Sequence, residues 1–212
     1  MISVEKAFEQ IVTSAKPLTT ERLPLEETSG RVLATPLAAR RAQPGCALSA
    51  MDGYAVSSDD LNGEMKQLRL IGESVAGVPF TGTTREGETV RIFTGAAVPD
   101  GCNQVVIQEN VDRRETAVFT REVSQPGHNI RPMGIDFLEK QLVLDAGTFI
   151  TPKSIGLAAA AGHAHLMVHR APKVAILATG DELAPPDQHS FAPHETVNST
   201  APQVAALLSD AG

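Results

Sequence analysis

The sequence predicts a mixed α+β protein that is β-rich through its middle and ends in the beginning of an α/β domain. Three observations carry this expectation. Seventeen Gly and fourteen Pro in 212 residues cut the chain into short elements joined by turns. Four β-like runs, 67–71, 89–93, 104–108 and 117–121, are each flanked by Gly, Pro, Asn or Asp. The run Lys173–Thr179, KVAILAT, is nearly continuously apolar, as in a strand covered on both faces of a parallel sheet.

The first element is a helix. Val4, Ala7, Phe8, Ile11, Val12 and Ala15 share one face at helical spacing, Ser3 caps the start, and Pro17 stops it. A second, shorter helix is expected over 26–33, weakened by Gly30. The segment 39–51 has no periodicity and reads as a connecting loop. Residues 51–127 then read as a compact β-rich domain. Beyond it, 141–144 looks like a strand followed by the turn Asp145-Ala146-Gly147. Thr151-Pro152 opens a helix that Gly162 closes, and 166–168 is another short strand. After KVAILAT, Asn198-Ser199-Thr200 caps a last helix with Val204, Leu207 and Leu208 as its apolar stripe and Gly212 in the C-cap position. A parallel strand needs a neighbour reached by a crossover, and no further strand follows, so the expectation is that the chain stops inside a domain.

Composition narrows the function. Hydrophobic residues make up 42% and charged residues 20%, ordinary for a globular protein. The net charge of −7 argues against a general nucleic-acid binder, which needs a positive surface to displace counterions from phosphates. An anionic small substrate remains compatible, with a local Arg or metal ion to offset the acidic background. Cys46 and Cys102 are far apart and form no CxxC pattern, so nothing asks for a disulfide. No stretch is long and apolar enough to span a bilayer, and the N-terminus lacks a charged-then-apolar signal layout. The default location is cytoplasmic.

Four segments carry chemistry. In Ser49–Val56, SAMDGYAV, Asp-Gly is a turn pair. Gly53 tolerates positive φ there, and Asp52 projects from a loop tip, where a carboxylate holds a metal ion or accepts protons. In Thr94–Gly101, TGAAVPDG, a Thr-Gly step after a strand offers backbone N–H groups and a hydroxyl to an oxyanion. In 128–136, HNIRPMGID, Arg131 is a natural candidate to bind a tetrahedral oxyanion such as phosphate through paired N–H donors, and Asp136 lies five residues on, past a Pro and a Gly able to fold both toward one site. In 178–183, ATGDEL, Asp181 and Glu182 follow the apolar run directly, where open α/β sheets bind ligands. The bland alternatives are surface turns and unpartnered surface charges. His163 and His165 alternate as on one strand face but lack a third metal ligand. Asn198 reads first as a residue before a helix cap.

Together, and in this order, the four segments resemble the MoeA family of molybdopterin molybdenumtransferases and its eukaryotic relative, the E domain of gephyrin. The TGA…P.G…VV..E pattern is completed by Glu109, and the likeness runs from the first helix to Gly212. Two stretches depart from the family: Ala47 and Leu48 stand where an acidic or amide pair is usual, and FLEKQ follows Asp136.

The resemblance implies molybdenum cofactor biosynthesis: molybdate enters adenylylated molybdopterin, AMP leaves, and Mg²⁺ assists. It implies a homodimer whose site lies between the α/β domain of one subunit and the β-rich domain of the other. Molybdopterin adenylyltransferase would act upstream, and neither nucleic acid nor membrane would be a partner. The implied domains are a discontinuous N-terminal one (1–50 and 128–170), an inserted β-rich one (51–127) and the start of an α/β molybdopterin-binding domain (171–212).

Carried over by motif, Asp52, Glu182 and Asp136 are the catalytic candidates, with Asp52 and Glu182 as Mg²⁺ ligands. Thr94, Gly95, Arg131, Asp181 and Asn198 are substrate-binding candidates. The family continues past the length of this chain, so inactivity of the chain by itself is expected. A non-catalytic dimerisation or scaffold module, or a pterin-binding protein of the same fold, is the alternative.

Overall fold

The computed structural model describes residues 2–63 and 65–211. The protein is mixed α+β and strand-rich. It divides into two compact units: Leu37–Val143 with Ala160–His163, and Met1–Pro36 with Leu144–Ala159 and Ala164–Gly212.

The unit built around 37–143 carries a six-stranded sheet. Its strand order is Gln104–Ile107, Gly53–Val56, Glu88–Ile92, Lys66–Ser74, Ala117–Thr120, Val111–Arg114. Every pairing is antiparallel except Lys66–Ser74 with Glu88–Ile92, which is parallel and shifts register at Leu70/Gly72. All four runs expected as strands in this region are strands.

The sheet also contains Gly53–Val56, which was expected only as a turn. Its side chains are buried on both faces. Tyr54 and Val56 join Leu61, Leu68, Val106 and Val118 in one cluster, and Ala55 joins Ile92, Ala96 and Val105 in another. A strand covered on both sides shows no alternation, and four residues are too few to read as an apolar run. Two buried polar side chains are bonded within this unit: the Thr89 hydroxyl donates to the Ala55 carbonyl at 2.8 Å, and Gln104 donates to the Val123 carbonyl and accepts from the Gln125 N–H; Asp60 Oδ2 is buried without a hydrogen-bond partner among the described residues.

Gly53 is a glycine for a different reason from the one expected. It is not among the residues with positive φ. Instead a Cβ at this position would lie 2.0 Å from the Val106 carbonyl oxygen, so the neighbouring backbone leaves no room for a side chain. The segment 39–51, expected as a loop, likewise includes a two-residue strand, Leu48–Ser49, that pairs antiparallel with Ile130–Arg131. Cys46 and Cys102 are both free. Burial pushes the Cys102 thiol up to about 11, so it is protonated at neutral pH.

The other unit pairs Thr20–Pro24 with His165–His169, antiparallel. Residues 30–33 bond back to 147–150, and Leu33, Ile150, Leu166 and Val168 form its buried core. Arg31 ties the pieces together, donating to Glu21 at 2.5 Å and to the His169 carbonyl at 2.7 Å. Three expectations hold: Ser3 caps helix Val4–Ser14, the Thr151 hydroxyl accepts the Ser154 N–H at the start of helix Pro152–Ala160, and Gly162 follows that helix at φ +89°. The apolar face of the first helix is solvent-exposed, with Val4 82% and Phe8 67% accessible.

Other expectations for this unit fail. The helix expected over 26–33 is a single 3-10 turn, Leu25–Glu27, after which Gly30 at φ +78° redirects the chain. The Gly30 and Leu33 N–H groups donate to the Ile150 and Thr148 carbonyls and the Arg31 carbonyl accepts the Ile150 N–H, which takes backbone groups a helix would have used.

The larger correction concerns Lys173–Thr179. It forms no strand, and residues 171–180 are all exposed. An inner parallel strand is held by ladders and burial on both sides, and no strand among the described residues pairs with it. The parallel contact that does form joins Leu183–Ala184 to Thr196–Val197, ahead of helix Thr200–Ala211. Gly212, expected as its C-cap, lies outside the described residues. His163 and His165 do not share a strand face: His165 is in a strand, whereas His163 precedes it and bonds the Ala38 carbonyl through Nε2.

The contact at Gly53 yields a test. Gly53→Ala is expected to destabilise the protein by about 2–3 kcal/mol, because overpacking must push backbone rather than a flexible side chain. Urea unfolding measures this, and a loss under ~0.5 kcal/mol would show that the strand shifts freely.

Candidate functional site

Three of the four segments meet in the sheet-bearing unit, joined through backbone at Ser49. This residue is buried; its N–H donates to the Ala96 carbonyl and its carbonyl accepts the Gly95 N–H, both at 2.9 Å. Its strand partner is Ile130, and the Ala50 N–H donates to the Asn129 carbonyl at 2.9 Å. SAMDGYAV, TGAAVPDG and HNIRPMGID are thus neighbours held by main-chain bonds. Asn129, at φ +59°, donates through its side-chain amide to the Val105 carbonyl, which locks the third segment to the sheet.

Asp52 sits at the lip of this junction. Its Oδ1 accepts two bonds from Thr94, from the N–H and from the hydroxyl, each at 2.8 Å. Its carbonyl accepts the Gln108 N–H at 3.1 Å. Oδ2 makes no hydrogen bond among the described residues and is left as an unclaimed acceptor. The Thr94 N–H bond, then the Thr94 hydroxyl bond, hold the Asp52 carboxyl below its ordinary value; partial burial opposes them, and the Arg91 charge adds to them.

The Thr94–Gly95 step differs from its expected role. Both backbone N–H groups are already engaged, Thr94 by Asp52 and Gly95 by Ser49, and Ala96 donates to Phe93. With these donors occupied, the step acts as a brace for a carboxylate rather than an open cradle for an oxyanion.

Arg131 and Asp136 do come together. One terminal nitrogen of Arg131 reaches both carboxylate oxygens, at 3.3 and 3.2 Å. The turn that allows it is fixed by bonds from Gly134 to Pro44 and from Asp136 to Gln43. Both side chains are about half exposed, so the pair contributes at most about 1 kcal/mol of stability. The guanidinium keeps its other N–H donors free for an anion.

The fourth segment belongs to the other unit. Asp181 and Glu182 are exposed, and neither side chain bonds to another described residue. The Glu182 carbonyl accepts the Thr196 N–H at 2.7 Å. Since 173–179 is not a strand, these carboxylates do not stand beyond a strand end as expected. Asn198 is occupied as a cap: its Oδ1 accepts the Ala201 N–H at 3.2 Å. Asp52 and Glu182 therefore lie in different units.

Two residues near Asp52 escaped the sequence reading. Arg91 packs over Tyr54 and Phe93, and Gln108 accepts from it. A basic residue between Val90 and Ile92 in a buried strand is the signal that could have flagged the first. Among the described residues no group of three or more His, Cys, Asp and Glu is placed to hold a metal. An open cleft of about 860 Å³ lies elsewhere in this unit, bordered by Met65, Glu109, Val111, Phe119 and Arg121, and includes none of Asp52, Thr94 or Arg131. No described helix is long and apolar enough to cross a membrane.

The Asp52 bond pair makes a pH prediction. The carboxylate's folded value is depressed, so its bonds to Thr94 are intact above the ordinary value of 3.8 and are lost as pH falls through the lower folded value. The Thr94 amide resonance should titrate with a midpoint below 3.8. In Thr94→Val, which keeps the N–H and loses the hydroxyl, the midpoint should rise toward the ordinary value; an unchanged midpoint would remove the hydroxyl bond from the account.

The family profile described as MoeA N-terminal region (domain I and II) matches residues 2–162. The molybdopterin molybdenumtransferase of Haemophilus influenzae is 37% identical over 185 residues, covering 86% of this chain and 46% of that protein. That of a Nostoc species is 36% identical over 197 residues, covering 91% and 45%. The crystal structure of a molybdopterin biosynthesis MoeA protein from Pyrococcus horikoshii superposes with a TM-score of 0.91 at 28% identity, over 99% of this chain and 57% of that one. The chain spans about half the length of the curated relatives it matches. With the profile covering most of its residues, and the segments it carries brought together around Ser49 and Asp52, the chain belongs to the MoeA family.

Proposed function

We propose that the chain serves molybdenum cofactor biosynthesis, contributing to the insertion of molybdate into adenylylated molybdopterin with release of AMP. The observation that carries this reading is the state of Asp52: one carboxylate oxygen held by two bonds from Thr94, the other without a partner among the described residues.

Mg²⁺ commonly retains waters and takes only one or two carboxylates together with substrate phosphates. A single braced carboxylate with an open oxygen fits that habit, although no larger cluster stands around it among the described residues. Asp52 is the ligand proposed in the sheet-bearing unit, and Glu182 the carboxylate that the other unit offers, with Asp181 beside it. When bound, the ion offsets phosphate charge and polarises the bond to be broken.

The chain's own residues do the rest. Thr94 keeps Asp52 ionised and fixed. Arg131 turns its unused N–H donors to a tetrahedral oxyanion, and Asp136 orients that guanidinium. The dithiolene sulfurs that take up molybdenum belong to the pterin, so the protein need supply no thiolate; this agrees with the protonated state of Cys102. The reading includes a homodimer, a cytoplasmic setting and molybdopterin adenylyltransferase as the upstream supplier, all from the family likeness.

Equilibrium binding of adenylylated molybdopterin to the purified chain tests the proposal. Binding should depend on Mg²⁺, and Asp52→Asn should weaken it by about tenfold or more, as expected for loss of one charge-assisted contact. Arg131→Lys should weaken molybdate binding while sparing the pterin. Equal, Mg²⁺-independent binding by wild type and Asp52→Asn would overturn the reading.

A further inference from the structure

Arg91 stands opposite Tyr54 in the ladder between Gly53–Val56 and Glu88–Ile92. Its guanidinium lies 5.0 Å from the centroid of the Tyr54 ring and 4.8 Å from that of Phe93. Beside these two rings, it spends its N–H donors on two acceptors. One terminal nitrogen donates to the Gly53 carbonyl at 3.1 Å, and the other donates to Gln108 Oε1 at 2.6 Å.

Gln108 is bound to the same loop by its main chain, because its N–H donates to the Asp52 carbonyl at 3.1 Å. Its side-chain amide passes on to Glu109 at 3.2 Å. The two consecutive carbonyls that follow the Asp52 and Gly53 α-carbons are therefore both gripped, one by Gln108 and one by Arg91, and the two grips are bonded to each other. A planar fork can span both acceptors while stacked; an ammonium, a point donor on a flexible stem, cannot.

We propose that Arg91 is a positioning residue that, through Gln108, fixes the direction in which Asp52 presents its outer carboxylate oxygen. The clamp holds the loop by its Asp52 and Gly53 carbonyls, while Thr94 holds the Asp52 Oδ1. Its purpose rests on the metal-binding role assigned to Asp52 above; its existence does not.

The Thr94 amide, bonded to Asp52, reports on the clamp. Hydrogen exchange of the ¹⁵N-labelled chain is expected to be about tenfold faster at Thr94 in Arg91→Gln, the order of one lost hydrogen-bonded restraint, with Val90 and Val105 in the core unchanged. Arg91→Lys should show the same loss, since charge without the fork does not bridge. Gln108→Met, remote in sequence from Thr94, should give about half that effect on a logarithmic scale. Wild-type exchange at Thr94 in either Arg91→Lys or Gln108→Met would overturn the clamp.

A reading on the unaltered protein covers the case in which a variant does not fold. The two terminal nitrogens of Arg91 should give separate resonances displaced by the ring currents of Tyr54 and Phe93. One averaged signal at the position of a free arginine would overturn the proposal. If the clamp is seen but Mg²⁺ with molybdate leaves the Thr94 and Asp52 resonances unmoved, the metal-binding reading fails and the clamp stands.

Discussion

Three stretches far apart in sequence are neighbours here because the backbone of one buried residue bonds to them. Ser49 gives its N–H to Ala96, takes one from Gly95 and lies in register with Ile130. These are main-chain bonds in a water-poor setting, where an unmade bond costs about 1–3 kcal/mol. The arrangement is therefore set by peptide groups that every residue type possesses, and the side chains Asp52, Thr94 and Arg131 are carried to the junction by it. The Asp52–Thr94 bonds follow from the ladder that pairs Gly53 with Ile92, which sets the loop after Glu88–Ile92 beside the loop before Gly53–Val56; Ser49 ties both to the third stretch.

Much of the strand pattern was legible. Short runs of Val, Ile and Thr between turn formers are strands in the structure, and the first and third helices appear with their caps, because capping and turn chemistry act over three or four residues and leave a local mark. What was not legible depended on partners distant in sequence. Gly53–Val56 is a strand because two neighbours sandwich it, and Gly53 is small because Val106 lies against it. Lys173–Thr179 fails in the opposite sense: its letters favour a strand, but a strand is a property of a pair, and among the described residues it has none.

The candidate site divides in the same way. The residue types and their grouping could be read: Arg131 does meet Asp136, and Asp52 does project from a tight junction with one oxygen unclaimed. The direction of the bonds could not. A Thr-Gly step after a strand looks the same in sequence whether its N–H groups face solvent or a carboxylate. Here the Asp52 carboxylate claims the first and the Ser49 carbonyl the second, so the donors for an external anion are to be sought on Arg131 rather than in that backbone. The chemistry of Asn198 was likewise undecided by its position, and its side-chain carbonyl is taken by the following helix.

The six-stranded sheet ends on Val111–Arg114, where Asp112, Arg113 and Arg114 are exposed; charged edges of this kind repel a second sheet. Lys173–Thr179 has no such guard. Val174, Ile176 and Leu177 are open to water on a backbone whose peptide groups join no ladder among the described residues. A seven-residue run of β-prone apolar letters in that state is a template for cross-chain stacking. This segment adds to the exposed apolar face of the first helix as a source of self-association, and a charge placed at Ile176 would weaken its share.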